Sequence, residues 1–120
     1  MRKPLLAFLF TALPAAGFAG EADVVNATAV QTSPDVWRIS ATVRHNDEGW
    51  DHYADRWDVV DSEGTVIATR ILAHPHETEQ PFTRSLSNIE IDSAIHVVTI
   101  RARDSVHGYG GKTFVLMLKR

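Results

Sequence analysis

The chain has no cysteine. A secreted domain of about 100 residues often leans on disulfides, and this one must be held by its apolar core alone. No thiol follows the N-terminal apolar run, so a lipid anchor of the lipoprotein kind is not expected there. Methionine is equally scarce, with Met1 and Met117 the only two. Thiolate and thioether ligands are the ones that favour Cu(I), and the chain lacks the means to supply them. Beyond the first residues no stretch is long and apolar enough to enter a bilayer. No window repeats apolar residues at i, i+3, i+4 and i+7 over more than two turns, which excludes a substantial amphipathic helix. A basic stripe is missing too: 12 Lys and Arg stand against 15 Asp and Glu, a formal net charge of −3. Nucleic acid is therefore not an expected partner. There is no Gly-x-Ser-x-Gly elbow, phosphate loop, dinucleotide fingerprint or zincin helix, so catalysis has the least support.

What is present begins with a leader. Arg2 and Lys3 precede an apolar run from Leu5 to Leu13, which Pro14 breaks. Small residues then occupy the positions before Ala19 and before Ala22. This is the layout of a secretory signal peptide, too short for a membrane span. The expected division is a signal peptide over residues 1–19 and one domain over residues 20–120; cleavage after Ala22 is the alternative. Losing Arg2 and Lys3 makes the exported domain two charges more negative. An exported, cysteine-free domain points to a bacterial periplasm or secretion, with no membrane insertion after cleavage.

The rest reads as short alternating runs between turn signals. Strands are expected over Asp23–Gln31, Val36–His45, Trp50–Val60, Thr65–Leu72, Phe82 to Leu86 or Ile91, Ile95–Arg103 and Thr113–Leu118. In the second, Trp37, Ile39, Ala41 and Val43 share one face. Tyr53, Trp57 and Val59 share a parity in the third. Seven strands in about 100 residues predict an all-β, immunoglobulin- or fibronectin-type antiparallel sandwich.

Strands joined by short connections run alternately up and down, so alternate loops emerge at one pole. Loops 45–52, 73–80 and 104–111 form one such set. They hold His45, His52, His74, His76 and His107, five of the six histidines, whereas the opposite set is plain turn chemistry. Imidazole with nearby carboxylates suits zinc or Cu(II). The candidate ligands are His52, His74, His76 and His107, with Asp51, Glu77 and Asp104 behind them. His45 and His96 are expected to play structural parts at strand ends. Two other readings stand beside the metal site. The histidines and acids can simply lock the loops by hydrogen-bonding backbone. Alternatively, Trp50 and Tyr109, near Tyr53, can form a recognition surface for a small ligand or an envelope protein, as aromatics with polar tips favour interfaces.

The segments GWDHYADRW, HPHETEQPFTRS and DSVHGYGG together resemble those of small secreted bacterial proteins usually described only as uncharacterised. The resemblance covers nearly all of the domain. It implies an exported single-domain protein, and it brings no activity, cofactor or catalytic residue with it.

Overall fold

The computed structural model of the protein describes residues 20–120. The expected signal peptide lies outside the described residues. Seven strands follow: β1 (Asp23–Ser33), β2 (Val36–Arg44), β3 (Ala54–Val60), β4 (Val66–Ile71), β5 (Phe82–Glu90), β6 (Val97–Asp104) and β7 (Phe114–Met117). They build two antiparallel sheets, one ordered β1-β2-β5 and the other β4-β3-β6-β7. The expected all-β, seven-stranded sandwich is the observed fold. β4 stays beside β3 instead of joining the first sheet, unlike the ABED and CFG division of antibody constant domains.

Period-two alternation produces the core. Along β2, Trp37, Ile39, Ala41 and Val43 are buried, and Arg38 and Arg44 reach solvent. Along β6, Val98, Ile100 and Ala102 face the same interior. Trp57, Val59, Phe82, Ile89 and Leu116 complete the packing between the sheets. Burying each of the larger side chains stabilises the domain by roughly 1.5–3 kcal/mol. In the absence of any covalent cross-link, this layer is what joins the two sheets.

β3 departs from the expected pattern in a way that matters later. The expected extended run from Trp50 does not form. Gly49 adopts φ 79° and His52 N–H donates to the Gly49 carbonyl at 3.3 Å, so residues 49–52 turn. A register shift against β6 then falls between Ala54 and Arg56, with Ala54 opposite Asp104 and Arg56 opposite Arg103. Such a bulge re-aims side chains. Ala54 and Trp57 are both buried although three residues apart, so the single parity expected for Tyr53, Trp57 and Val59 is interrupted at the bulge.

The loops expected at one pole do meet. The β2–β3 connection touches the β4–β5 connection where His76 N–H donates to Asp47 Oδ2 at 2.6 Å. It touches the β6–β7 connection through Tyr53 N–H to Ser105 Oγ at 3.0 Å and Ser105 N–H to Tyr53 O at 2.9 Å. At the other pole, Ile91 N–H donates to Asp35 O, and Arg120 donates to the carbonyls of Asp92 and Ile95.

Candidate metal centre

Each sheet carries a row of inward-facing apolar side chains that ends in a polar one. On β2 the row Trp37, Ile39, Ala41, Val43 continues with the same parity to His45, which is 2% exposed. On β6 the row Val98, Ile100, Ala102 continues to Asp104, which is fully buried. Ahead of β3, His52 shares the parity of buried Ala54. Without the bulge it would follow the opposite parity to Trp57 and face outward. Three polar side chains are thereby delivered to one end of the core. One nitrogen or oxygen from each of His45, His52 and Asp104 can be chosen so that all three lie within 4.8 Å of one another.

The distances suit a cation. His52 Nε2 stands 3.3 Å from Asp104 Oδ1, and His45 Nε2 stands 3.8 Å from Asp104 Oδ2. With metal–ligand bonds of about 2.0–2.2 Å, neighbouring ligand atoms of a tetrahedral site stand roughly 3.3–3.6 Å apart. The two imidazole–carboxylate distances lie at or just above that range, and the three donors as a group lie within 4.8 Å of one another, so they would draw together around a shared ion. His107 Nδ1 is 3.4 Å from Asp104 Oδ1, and the His107 ring centroid is 4.9 Å from that of His52. His107 is more exposed than the other three and stands on the solvent side of the group.

Carboxylates orient both buried rings from behind. His45 Nδ1 is 2.6 Å from Asp47 Oδ1, and His52 Nδ1 is 3.3 Å from Glu48 Oε1. A proton held on Nδ1 by each acid turns Nε2 of each ring toward Asp104. This carboxylate–histidine pairing is the usual outer arrangement of metal-binding imidazoles. Asp47 does more than orient a ring. Its Oδ1 also accepts Ala54 N–H at 3.0 Å, and its Oδ2 accepts His76 N–H. Gln80 adds a further tie, accepting His45 N–H at 2.9 Å and donating to His76 O at 2.8 Å.

Asp104 is fixed by its own loop. Oδ1 accepts Val106 N–H at 2.8 Å and His107 N–H at 2.6 Å. The backbone of Asp104 exchanges two 3.1 Å hydrogen bonds with Gly108, whose φ of 74° suits glycine. This Asx-type turn presents His107. Asp104 Oδ2 and His52 Nε2 are left buried with no hydrogen-bond partner among the described residues.

His45 is also contacted by the backbone ahead of β1. Its Nε2 lies 2.9 Å from the Gly20 carbonyl. Both ring nitrogens thus face acceptors, and only the doubly protonated ring satisfies both. Burial opposes that charge, but the Asp47 hydrogen bond and the Asp47 and Asp104 charges outweigh it, raising the His45 pKa above the ordinary imidazole value. Burial likewise works against the charged form of Asp47. Hydrogen bonds from His45, His76 and Ala54 outweigh it and hold that carboxyl below its usual range.

The residues singled out by sequence are placed as follows. His52 and His107 come together with Asp104, which stands among the potential ligands themselves. His74 and His76 form a separate pair, with centroids 4.6 Å apart and planes tilted by 35°, and His76 lies flat on Phe82 at 4.0 Å. Burial, then the Arg84 and His74 charges, hold His76 below the ordinary imidazole value. Asp51 and Glu77 are exposed, and Asp47 and Glu48 stand behind the imidazoles instead. Trp50 is 66% exposed and meets Tyr53 edge-on at 5.5 Å. Tyr109 lies under the Arg101 guanidinium at 4.1 Å, on the outer face of the larger sheet. There Asp58 accepts from Arg101 Nε at 3.1 Å and Thr69 Oγ1 at 2.7 Å. The strand-end role expected of His45 leaves out its inward direction, which its shared parity with buried Val43 signals.

Among curated proteins, the chain is similar to one from Halomicrobium mukohataei described as "Putative lipoprotein". The two are 40% identical over 96 residues, covering 80% of this chain and 47% of that protein. The chain thus spans about half the length of the curated relative it matches. No protein-family model matches the chain, and no solved structure does.

Proposed function

We propose that the domain binds a divalent transition-metal ion at the pole through His45 Nε2, His52 Nε2 and the Asp104 carboxylate. His107, on the solvent side, supplies the fourth ligand or leaves that position to water. The observation that carries this reading is a buried pair of atoms, His52 Nε2 and Asp104 Oδ2, unpartnered among the described residues, in a site whose two imidazoles are each backed by an acid. A lone pair facing a carboxylate in a dry site costs free energy unless a cation lies between them. Two imidazoles and one carboxylate suit Zn(II) or Cu(II) better than hard cations, which prefer all-oxygen shells.

Binding at this site exchanges a proton for the metal. The ion takes the position of the proton on His45 Nε2, and the Gly20 carbonyl gives up its hydrogen bond. We further propose that the protein works outside the cytoplasm, in the periplasm or envelope. The leader-like residues 1–19 support this, as does the similarity to a protein described as "Putative lipoprotein".

Calorimetric titration of the metal-free protein with Zn(II) and Cu(II) tests the reading. At least one ion is expected to bind with a Kd tighter than about 10 μM, close to 7 kcal/mol. Asp104→Asn keeps an oxygen for the Val106 and His107 amides and removes the anionic ligand. It should fold normally and weaken binding by about 100-fold or more. Wild-type protein that binds neither ion, or an Asp104→Asn variant that binds equally well, overturns the proposal.

A further inference from the structure

The Gly20 carbonyl lies 2.9 Å from Nε2 of His45, a ligand of the proposed site, and Gly20 directly follows the expected cleavage point at Ala19. The structure fixes this segment in place. Ala22 is fully buried in the core. Val24 N–H donates to Lys112 O at 2.8 Å, and Lys112 N–H to Asp23 Oδ1 at 2.7 Å. Gly110 and Gly111 lie flat against it: a Cβ at 111 would collide with the Ala22 carbonyl, and one at 110 with the Glu21 side chain. The glycine pair therefore clears a path along which residues 20–23 run from β1 to His45. Gly20 and His45 also line a common surface recess.

Cleavage after Ala22 would remove a core residue together with the carbonyl that caps His45. Cleavage after Ala19 keeps both and frees an amine. Within one residue, covalent geometry holds backbone nitrogen and carbonyl oxygen roughly 3 Å apart. Since that oxygen is 2.9 Å from His45 Nε2, the freed nitrogen lies within about 6 Å of that imidazole nitrogen. The lone pair of a neutral amide nitrogen is delocalised into its carbonyl and makes a poor ligand, whereas that of an amine is free.

We propose that removal of the leader between Ala19 and Gly20 completes the site, the α-amino group of Gly20 joining His45, His52 and Asp104 as a ligand to the divalent ion. Amine and carbonyl of the same residue close a five-membered chelate ring, so the carbonyl that caps the metal-free His45 can follow the amine onto the metal. The precursor, in which this nitrogen is an amide, is the weaker binder. Metal loading is thereby tied to export. This inference rests on the metal reading above, and its test separates the two.

The full chain is exported and its mature mass measured; the first residue is expected to be Gly20. Zn(II) and Cu(II) affinities of this protein are then compared with those of the same chain retaining Ala19, and of an N-acetylated Gly20 form. The free-amine form should bind at least tenfold more tightly. Its Cu(II) electron paramagnetic resonance spectrum should show one nitrogen ligand more than the acetylated form. A mature chain starting at Asp23 overturns the inference. So do equal affinities and spectra across the three forms, an outcome that leaves the histidine and aspartate site standing. No binding by any form removes both proposals.

Discussion

Replacing Asp47 with alanine should be among the most damaging single changes in the domain. The carboxylate is wholly shielded from solvent and accepts from His45 Nδ1, His76 N–H and Ala54 N–H. It thus fastens three segments at once: the end of β2, the start of β3 and the β4–β5 loop. Alanine leaves those donors without an acceptor and strips the buried His45 charge of its closest counterion. Removing one partner of a buried ion pair costs about 3–5 kcal/mol. Each orphaned donor costs about 1–3 kcal/mol where water cannot reach it. Water entering the vacated space recovers part of this, so a loss of about 3–5 kcal/mol is expected. A domain of this size has about 5–15 kcal/mol to lose, and its melting temperature should fall by more than about 12 °C. Urea unfolding followed by tryptophan fluorescence is a direct assay, because Trp37 and Trp57 are fully buried and shift on exposure. Asp47→Asn keeps the shape but turns one acceptor into a donor, and should fall between wild type and alanine. A loss below about 1 kcal/mol for Asp47→Ala would refute the idea that this carboxylate joins the loops.

Two further outcomes follow from the same geometry. In metal-free protein, the raised pKa of His45 contributes stability in full below the unfolded value of 6.5, and this is lost as pH rises through the folded value. The lowered pKa of Asp47 contributes above 3.8 and is lost as pH falls through its folded value. The stability difference between wild type and Asp47→Ala should therefore be largest between about pH 3.8 and 6.5 and shrink on the alkaline side. A difference that grows toward pH 9 in urea titrations would contradict this. The double variant His74→Ala, His76→Ala removes a stack on Phe82 and should cost about 1–3 kcal/mol. Its Zn(II) affinity should stay within about threefold of wild type, and a loss beyond tenfold would place those rings in the site.

The fold was largely legible because β2, β6 and β7 alternate cleanly, and alternation is a local property. β3 was the exception. Its bulge is set by pairing with β6, and nothing within GWDHYADRW announces that two residues there oppose one across the sheet. The same feature decides the direction of His52, so the site was only half legible. The gathering of histidine loops at one pole followed from strand count. The separation of His74 and His76 from that group did not, since it depends on Phe82 offering a flat apolar face. His45 and Asp104 were more accessible to reasoning than they looked. Each sits one step beyond the last apolar residue of an inward row, and a polar side chain in that position must find a partner at the end of the core.

The strands that deliver His45 and Asp104 are the second and sixth, one from each sheet. In antibody domains the cystines that stitch the two layers together lie on the strands of the same rank. Here a bound ion would act as a rivet between layers that no covalent cross-link joins. Unlike a sulfur bridge, it would open to a chelator or to acid instead of to a reductant. The resistance of the sandwich to being pulled or digested apart would then track the metal content of its surroundings.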